Sequence, residues 1–232
     1  MVKSFLLLTV LILPHTAKSQ SVQTSSTEAA QQNAIEAYSK NMGKGLRLYN
    51  GSEYSYYRPL KDEHPYLDKK WTIGTVDYDN QLFTDLSLLY NINSDQLIAD
   101  YATGGSAQLI KPLINFFTLG NRKFVKLNDS LNRHRFYEIL FDGKIKVYSK
   151  HQKEFSEIVE DGKIHRDFRE KTFHFLLKDK TFIEVNSKKT LLHILANHAP
   201  ELKRFIREKK LKFKSADFDK SIVEVVAFYE QI

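Results

Sequence analysis

The sequence predicts an α+β protein: mainly an antiparallel β meander, arranged as a sheet, a sandwich or a partial barrel, followed by three short C-terminal helices. Three observations carry this expectation. Short runs rich in β-branched and aromatic residues are separated by tight-turn pairs, no long helical pattern falls between them, and the last 46 residues switch to apolar spacings of three and four. The composition is that of a globular chain, with 42% hydrophobic and 27% charged residues in 232.

Residues 1–19 read as a signal peptide cut between Ser19 and Gln20. Lys3 supplies the basic start, residues 5–13 an apolar stretch, and Ala17 and Ser19 the small residues before the cut. Nine residues of helix rise only about 14 Å at 1.5 Å each, half of a hydrocarbon core of roughly 30 Å, so the stretch is too short for a transmembrane anchor. No later segment is long and apolar enough to span a membrane. Loss of Lys3 and Lys18 takes the net charge from +7 to +5. The chain has no cysteine, which excludes disulfides, thiolate metal sites, a cysteine nucleophile and a lipoprotein anchor after the cut. The expected product is a periplasmic or extracellular protein. It is long enough to bury a core without disulfides.

Residues 20–44 form a polar leader with a possible short helix over 28–38, closed by Gly43 and Gly45. The β region covers 45–186. It opens with Leu46, Leu48, Tyr54 and Tyr56 alternating about Asn50-Gly51, which predicts a hairpin, and continues through a Pro-containing loop over 58–70. A strand over 71–78 turns at Asp79-Asn80 into a second strand with Leu82, Leu86, Leu88, Tyr90 and Ile92 on one parity. Turn chemistry recurs at 93–95, 104–105, 120–121, 142–143, 161–162 and 178–179, and Pro112 marks an edge or break. Residues 150–169 are mostly charged and read as a long loop. Over 187–232, apolar residues from Leu191 to Tyr229 recur at helical spacing, Ser187 and Ser215 stand at N-cap positions, and Pro200 begins the middle helix.

The runs YNGSEY, HPYL, Trp71 and VDYDNQLFTDLSLLYNI, with the endings KKTLLHIL, ELKRFIREKKLKFK and IVEVVAFYEQI, resemble uncharacterised exported proteins of Bacteroidota. Those chains carry a YDG-type turn where Tyr78-Asp79-Asn80 stands here, and a YD pair where Tyr90-Asn91 stands. The resemblance covers most of the mature chain and implies an exported β-rich fold, without an assigned activity. It also implies O-glycosylation at Ser130, since Asp129-Ser130-Leu131 matches the Asp-Ser/Thr-aliphatic pattern of exported glycoproteins in that group.

Local catalytic motifs are missing. His193 and His198 are five apart, which turns the second imidazole about 140° from the first on a helix, and no third ligand accompanies them, so no metal or other cofactor is expected. Gly104-Gly105-Ser106 is a turn rather than a nucleophile motif. Asp77, Asp79 and Asp85 lie near one hairpin and read as turn-forming and solvent-facing; Asp77-x-Asp79 begins like a calcium loop, but Leu82 and Leu88 stand where its glycine and glutamate belong. The basic segment 203–214 presents Lys203, Arg204, Arg207 and Lys210 for contact with an anionic surface, or as the wet face of a helix; export argues against nucleic acid. The expectation is an exported, envelope-associated binding or interaction protein without catalytic chemistry, whose partner is an envelope protein, a lipid or a polysaccharide. Two alternatives have recognisable signatures. A carrier of an apolar ligand needs a cavity lined by the aromatic strand residues, and a hydrolase assembled from separate strands needs a cleft that brings His64 or His134 beside carboxylates.

Overall fold

Among the described residues, alternation and turn chemistry produce eleven strands in a single sheet. A computed structural model describes residues 48, 50–55, 64–101, 105–128, 133–160, 162–214 and 217–232. The chain divides into units 1–44 and 45–232, and every described residue belongs to the second. The expected leader helix, the cleavage position Ser19/Gln20, Leu46, Tyr56, Gly104, Ser130 and Ser215 all lie outside the described residues.

The strands are β1 (Ser52–Glu53), β2 (Thr72–Tyr78), β3 (Gln81–Asn91), β4 (Gln96–Asp100), β5 (Ser106–Gln108), β6 (Ile114–Leu119), β7 (Arg122–Asn128), β8 (His134–Asp142), β9 (Lys146–Glu160), β10 (Lys163–Lys178) and β11 (Thr181–Glu184). Their spatial order is β1-β5-β4-β3-β2-β6-β7-β8-β9-β10-β11, and every pairing is antiparallel. Two meanders, β2 to β5 and β6 to β11, therefore join along β2 and β6. Asp79 and Asn80 both take positive φ, 51° and 58°, as a two-residue hairpin turn requires. Pro112 falls in a 3-10 turn, Lys111–Leu113, which breaks the chain between β5 and β6.

Three expectations need correction. The segment after Asn50-Gly51 does not fold back as a hairpin: β1 pairs with β5, Ser52 opposite Gln108. Gly51 serves instead as a point of close approach, since a Cβ there would stand 1.9 Å from the Gln108 carbonyl oxygen. Second, the charged stretch 150–169 is not a loop. It is the outer part of a β9–β10 ribbon that reaches Glu160 opposite Lys163. Beyond Ser149, β9 has no further β8 partner, so most side chains on both faces meet water and apolar alternation has no reason to appear. Third, the single parity read across β3 breaks at Asp85, whose φ is 57°. Val76 faces Phe83 while Gly74 faces Leu86, so β3 carries one extra residue there. Phe83 is buried and Leu82 is 56% exposed, the reverse of the expected pattern.

Similar extra residues fall at Asn115 in β6 and Leu140 in β8, where registers shift by one. Bulges increase local twist and bend the bulged strand. Here the sheet curls until the end of β3 meets β9: Lys153 N–H donates to the Ile92 carbonyl (3.2 Å) and Asn93 Nδ2 to the Lys153 carbonyl (2.9 Å). Six strands, β3-β2-β6-β7-β8-β9, thus form a partial barrel. Tyr90, Phe117, Phe124 and Phe136 fill its interior, with ring centroids 4.8–6.0 Å apart. The Tyr90 hydroxyl donates to Asp95 Oδ1 at 2.7 Å, and Lys111 Nζ meets the other Asp95 oxygen at 2.9 Å, so the polar groups at the barrel mouth are paired.

Three helices follow the sheet: α1 (Lys188–Ile194), α2 (Ala199–Glu208) and α3 (Phe218–Tyr229). Ser187 caps α1, its Oγ accepting from Thr190 N–H at 3.1 Å, as its sequence position predicts. Pro200 lies in the first turn of α2, where the missing N–H costs nothing. The N-cap of α3 is Asp217, two residues beyond Ser215. Leu191, Leu195, Leu202, Ile206, Ile222, Val225 and Val226 pack with Val147, Leu176 and Val185 of the sheet as a second core.

Candidate functional site

Between the two cores lies a row of polar side chains. Directly opposed residues of an antiparallel ladder share a face, and the register sets Phe124 opposite Glu138, Glu138 opposite Ser149, and Ser149 opposite His174. Two residues away on the same face stand Arg122 on β7, His151 on β9 and Thr172, which opposes His151, on β10. Their convergence makes a buried network. Arg122 donates from Nε to Glu138 Oε1 and from Nη2 to Oε2, both at 2.8 Å, while His151 Nε2 lies 2.7 Å from Oε2. Burial raises the Glu138 carboxyl, but the Arg122 and His151 hydrogen bonds outweigh it and hold the group at about 2. The same bidentate bond raises the Arg122 guanidinium above its ordinary value.

Serine, histidine and a carboxylate here do not make a relay. A nucleophile–base–acid chain divides the two imidazole nitrogens between the acid and the hydroxyl. His151 presents Nε2 to both: Ser149 Oγ is 3.1 Å and Glu138 Oε2 2.7 Å from the same nitrogen, and Nδ1 faces Thr172 Oγ1 at 3.4 Å. Ser149 is also fully buried. The geometry joins β7, β8, β9 and β10 rather than aiming a nucleophile at solvent.

The row ends at a cleft. His174 on β10 is hydrogen-bonded through Nε2 to Asp219 in the first turn of α3, and the Phe218 ring packs 4.4 Å from the imidazole. A cavity of about 550 Å³ opens there, bordered by Glu170, Thr172, His174, Asn186, Phe218 and Asp219 among others, with no lysine or arginine among the described residues of its border. Hydrogen-bond acceptors and an imidazole line it, so it suits a polar guest. Among the described residues no three His, Asp or Glu side chains gather into a metal-holding group.

The histidines singled out from sequence fall elsewhere. His64 stacks near Tyr66 at 6.0 Å, and burial first, then Lys153 and Lys69, lower its imidazole; it is not the centre of a carboxylate cleft. His134 is exposed at the start of β8. His193 and His198 belong to different elements, α1 and the 3-10 turn Ala196–His198, and His198 meets the Tyr229 ring edge-on at 5.5 Å. Ser106 is buried in β5 with its hydroxyl donating to the Tyr54 carbonyl at 3.3 Å. The residues that sequence reasoning missed, Glu138, Ser149, His151 and His174, do leave a signal: each is a polar residue inside a strand, and Glu138 stands in the run FYEILF. A lone acid among aromatic and aliphatic neighbours demands a buried partner.

No family model, curated protein or solved structure matches the chain.

The helical layer carries an exposed basic set. Lys203, Arg204, Arg207 and Lys210 are all exposed; Lys203 and Arg207 share a helical face at a spacing of four, and Lys210 follows in the turn after α2 with φ 53°. Leu202 and Ile206 on the same helix are buried. Among the described residues only Glu208 is ion-paired to this set, 3.8 Å from Arg204 and exposed, a contact that water screens. Residues 187–232 carry ten lysines and arginines against six acids. Among the described residues no helix is long and apolar enough to cross a membrane.

Proposed function

We propose that the protein is an exported binding module that meets an anionic envelope surface, lipid headgroups in particular, through its C-terminal helical layer. The observation that carries this reading is the exposed basic set Lys203, Arg204, Arg207 and Lys210 on a layer whose opposite side is buried in the second core. Side chains with ammonium and guanidinium heads in water and no equal number of acids beside them create a positive potential that draws anionic partners. The signal-like residues 1–19 support delivery to the envelope, and the resemblance to exported Bacteroidota chains agrees with it. Two further features favour binding over hydrolysis or apolar transport: the imidazole of His151 is committed to Glu138 on the nitrogen a serine would need, and the aromatic interior is occupied by its own rings.

The test is co-sedimentation with phosphatidylglycerol vesicles and with phosphatidylcholine vesicles at low salt. Retention on the first and not the second is expected, with loss when Lys203, Arg204, Arg207 and Lys210 are replaced by glutamine. Equal behaviour toward the two lipids would sink the reading.

A further inference from the structure

A groove on the same layer differs in kind from the cleft at His174. It holds about 540 Å³, its walls are mostly apolar, and its borders are Lys188, Lys189, Leu192, His193, Ala199 and Lys203. Only two of those residues, Leu192 and Ala199, are apolar as a whole, so the rest of the apolar wall comes from the methylene stems of the three lysines and the carbons of His193. A lysine that lays its stem along apolar surface keeps its ammonium at the water boundary. The groove therefore combines a greasy floor with a rim of positive charge. Resting on the reading above, we propose that it receives an acyl chain of an anionic phospholipid from the envelope leaflet, anchoring the helical layer in the lipid as well as holding it to the surface.

Local structure explains why the floor is available. Leu191 and Leu195 of the α1 segment point into the second core, which turns Leu192 sideways by one helical step; on α2, Leu202 is buried and Lys203 is turned aside in the same manner. The short 3-10 turn Ala196–His198 joins the two helices so closely that Leu192 and Lys203 border one groove. The Ser187 cap fixes the start of α1, and with it Lys188 and Lys189 at the rim. From Lys203 the charge continues to Arg207, one turn further along α2, so a headgroup at the rim meets cations on more than one side. Charge decides the occupant: Lys188, Lys189 and Lys203 favour a phosphate-bearing amphiphile over a neutral or cationic one, and among the described residues no acid borders the groove. The cleft at His174, with Glu170 and Asp219 on its border, has the opposite character and would repel such a molecule.

The experiment separates chain insertion from surface attraction by salt. At ~1 M salt the screening length falls to about 3 Å, so attraction between exposed charges and headgroups is largely removed while burial of an acyl chain is not. Binding to phosphatidylglycerol vesicles is measured at low salt and at ~1 M for the full chain, for Leu192→Asp and for Ala199→Glu. The second variant guards against misfolding, because a glutamate in the first turn of a helix is favourable to the fold; circular dichroism checks both. The expected result is a salt-resistant fraction in the native protein, reduced on the order of ten-fold in both variants, with low-salt retention kept. Salt-resistant retention that is equal in all three proteins, or absent from the native one, overturns the groove and leaves surface adhesion standing. Failure of the native protein to bind at low salt overturns both.

Discussion

Glu138 carries a charge into an apolar strand, and its surroundings are built to keep that charge. Its folded value, about 2, lies below the ordinary 4.5. A carboxyl depressed on folding contributes stability that is present above about 4.5 and is lost as the pH falls through about 2. Glu138→Gln is therefore expected to lower neutral-pH stability by about 2 kcal/mol, through loss of the charged hydrogen bonds to Arg122 and His151, and to flatten the acid limb. Urea titrations from neutral pH down to pH ~2 measure both; a variant with the native pH profile would show that the network contributes nothing. The acid was legible in FYEILF as a polar residue in a buried strand. Its partners were not, because Arg122 comes from β7 and His151 and Ser149 from β9, and only register brings them together.

Elements were most readable where one face is wet and the other dry. The turn at Asp79-Asn80, the break at Pro112 and the Ser187 cap each follow from local chemistry and stand where the sequence puts them. The reading failed where that contrast disappears. A one-residue bulge at Asp85 reverses parity within β3, and nothing in an Asp flanked by Thr84 and Leu86 announces a positive φ. The outer β9–β10 ribbon fails for another reason: with both faces wet, its strands owe their existence to cross-strand bonds and pairs such as Phe155 with Phe168, 5.6 Å between centroids. Two strands without a third neighbour or a dry face are marginal. Amide hydrogens over 155–168 are expected to exchange much faster than those of β2, β6 and β7, which lie inside the sheet. Uniform protection along the whole of β9 and β10, measured by hydrogen-exchange mass spectrometry, would contradict that.

At the scale of the molecule, an antiparallel sheet followed by three helices was the sequence's expectation and is the observed architecture. Choosing among sheet, sandwich and partial barrel needed the three bulges and the contact of β3 with β9, none of which has a local signature. That contact also sets an order of events in time. Ile92 and Lys153 are far apart in the chain, and their clasp cannot shut until β2, β6, β7 and β8 lie side by side, so loop entropy is spent well before the last bond repays it. Refolding is expected on the order of milliseconds to seconds, in keeping with a high contact order. If the clasp closes after the barrier, Asn93→Ala will speed unfolding and leave the refolding rate unchanged in stopped-flow traces; a slower refolding arm would place it in the nucleus. Until it shuts, Tyr90 and Phe117 remain open to water on one side, and the folding chain passes through a sticky, half-rolled state whose lifetime the clasp decides.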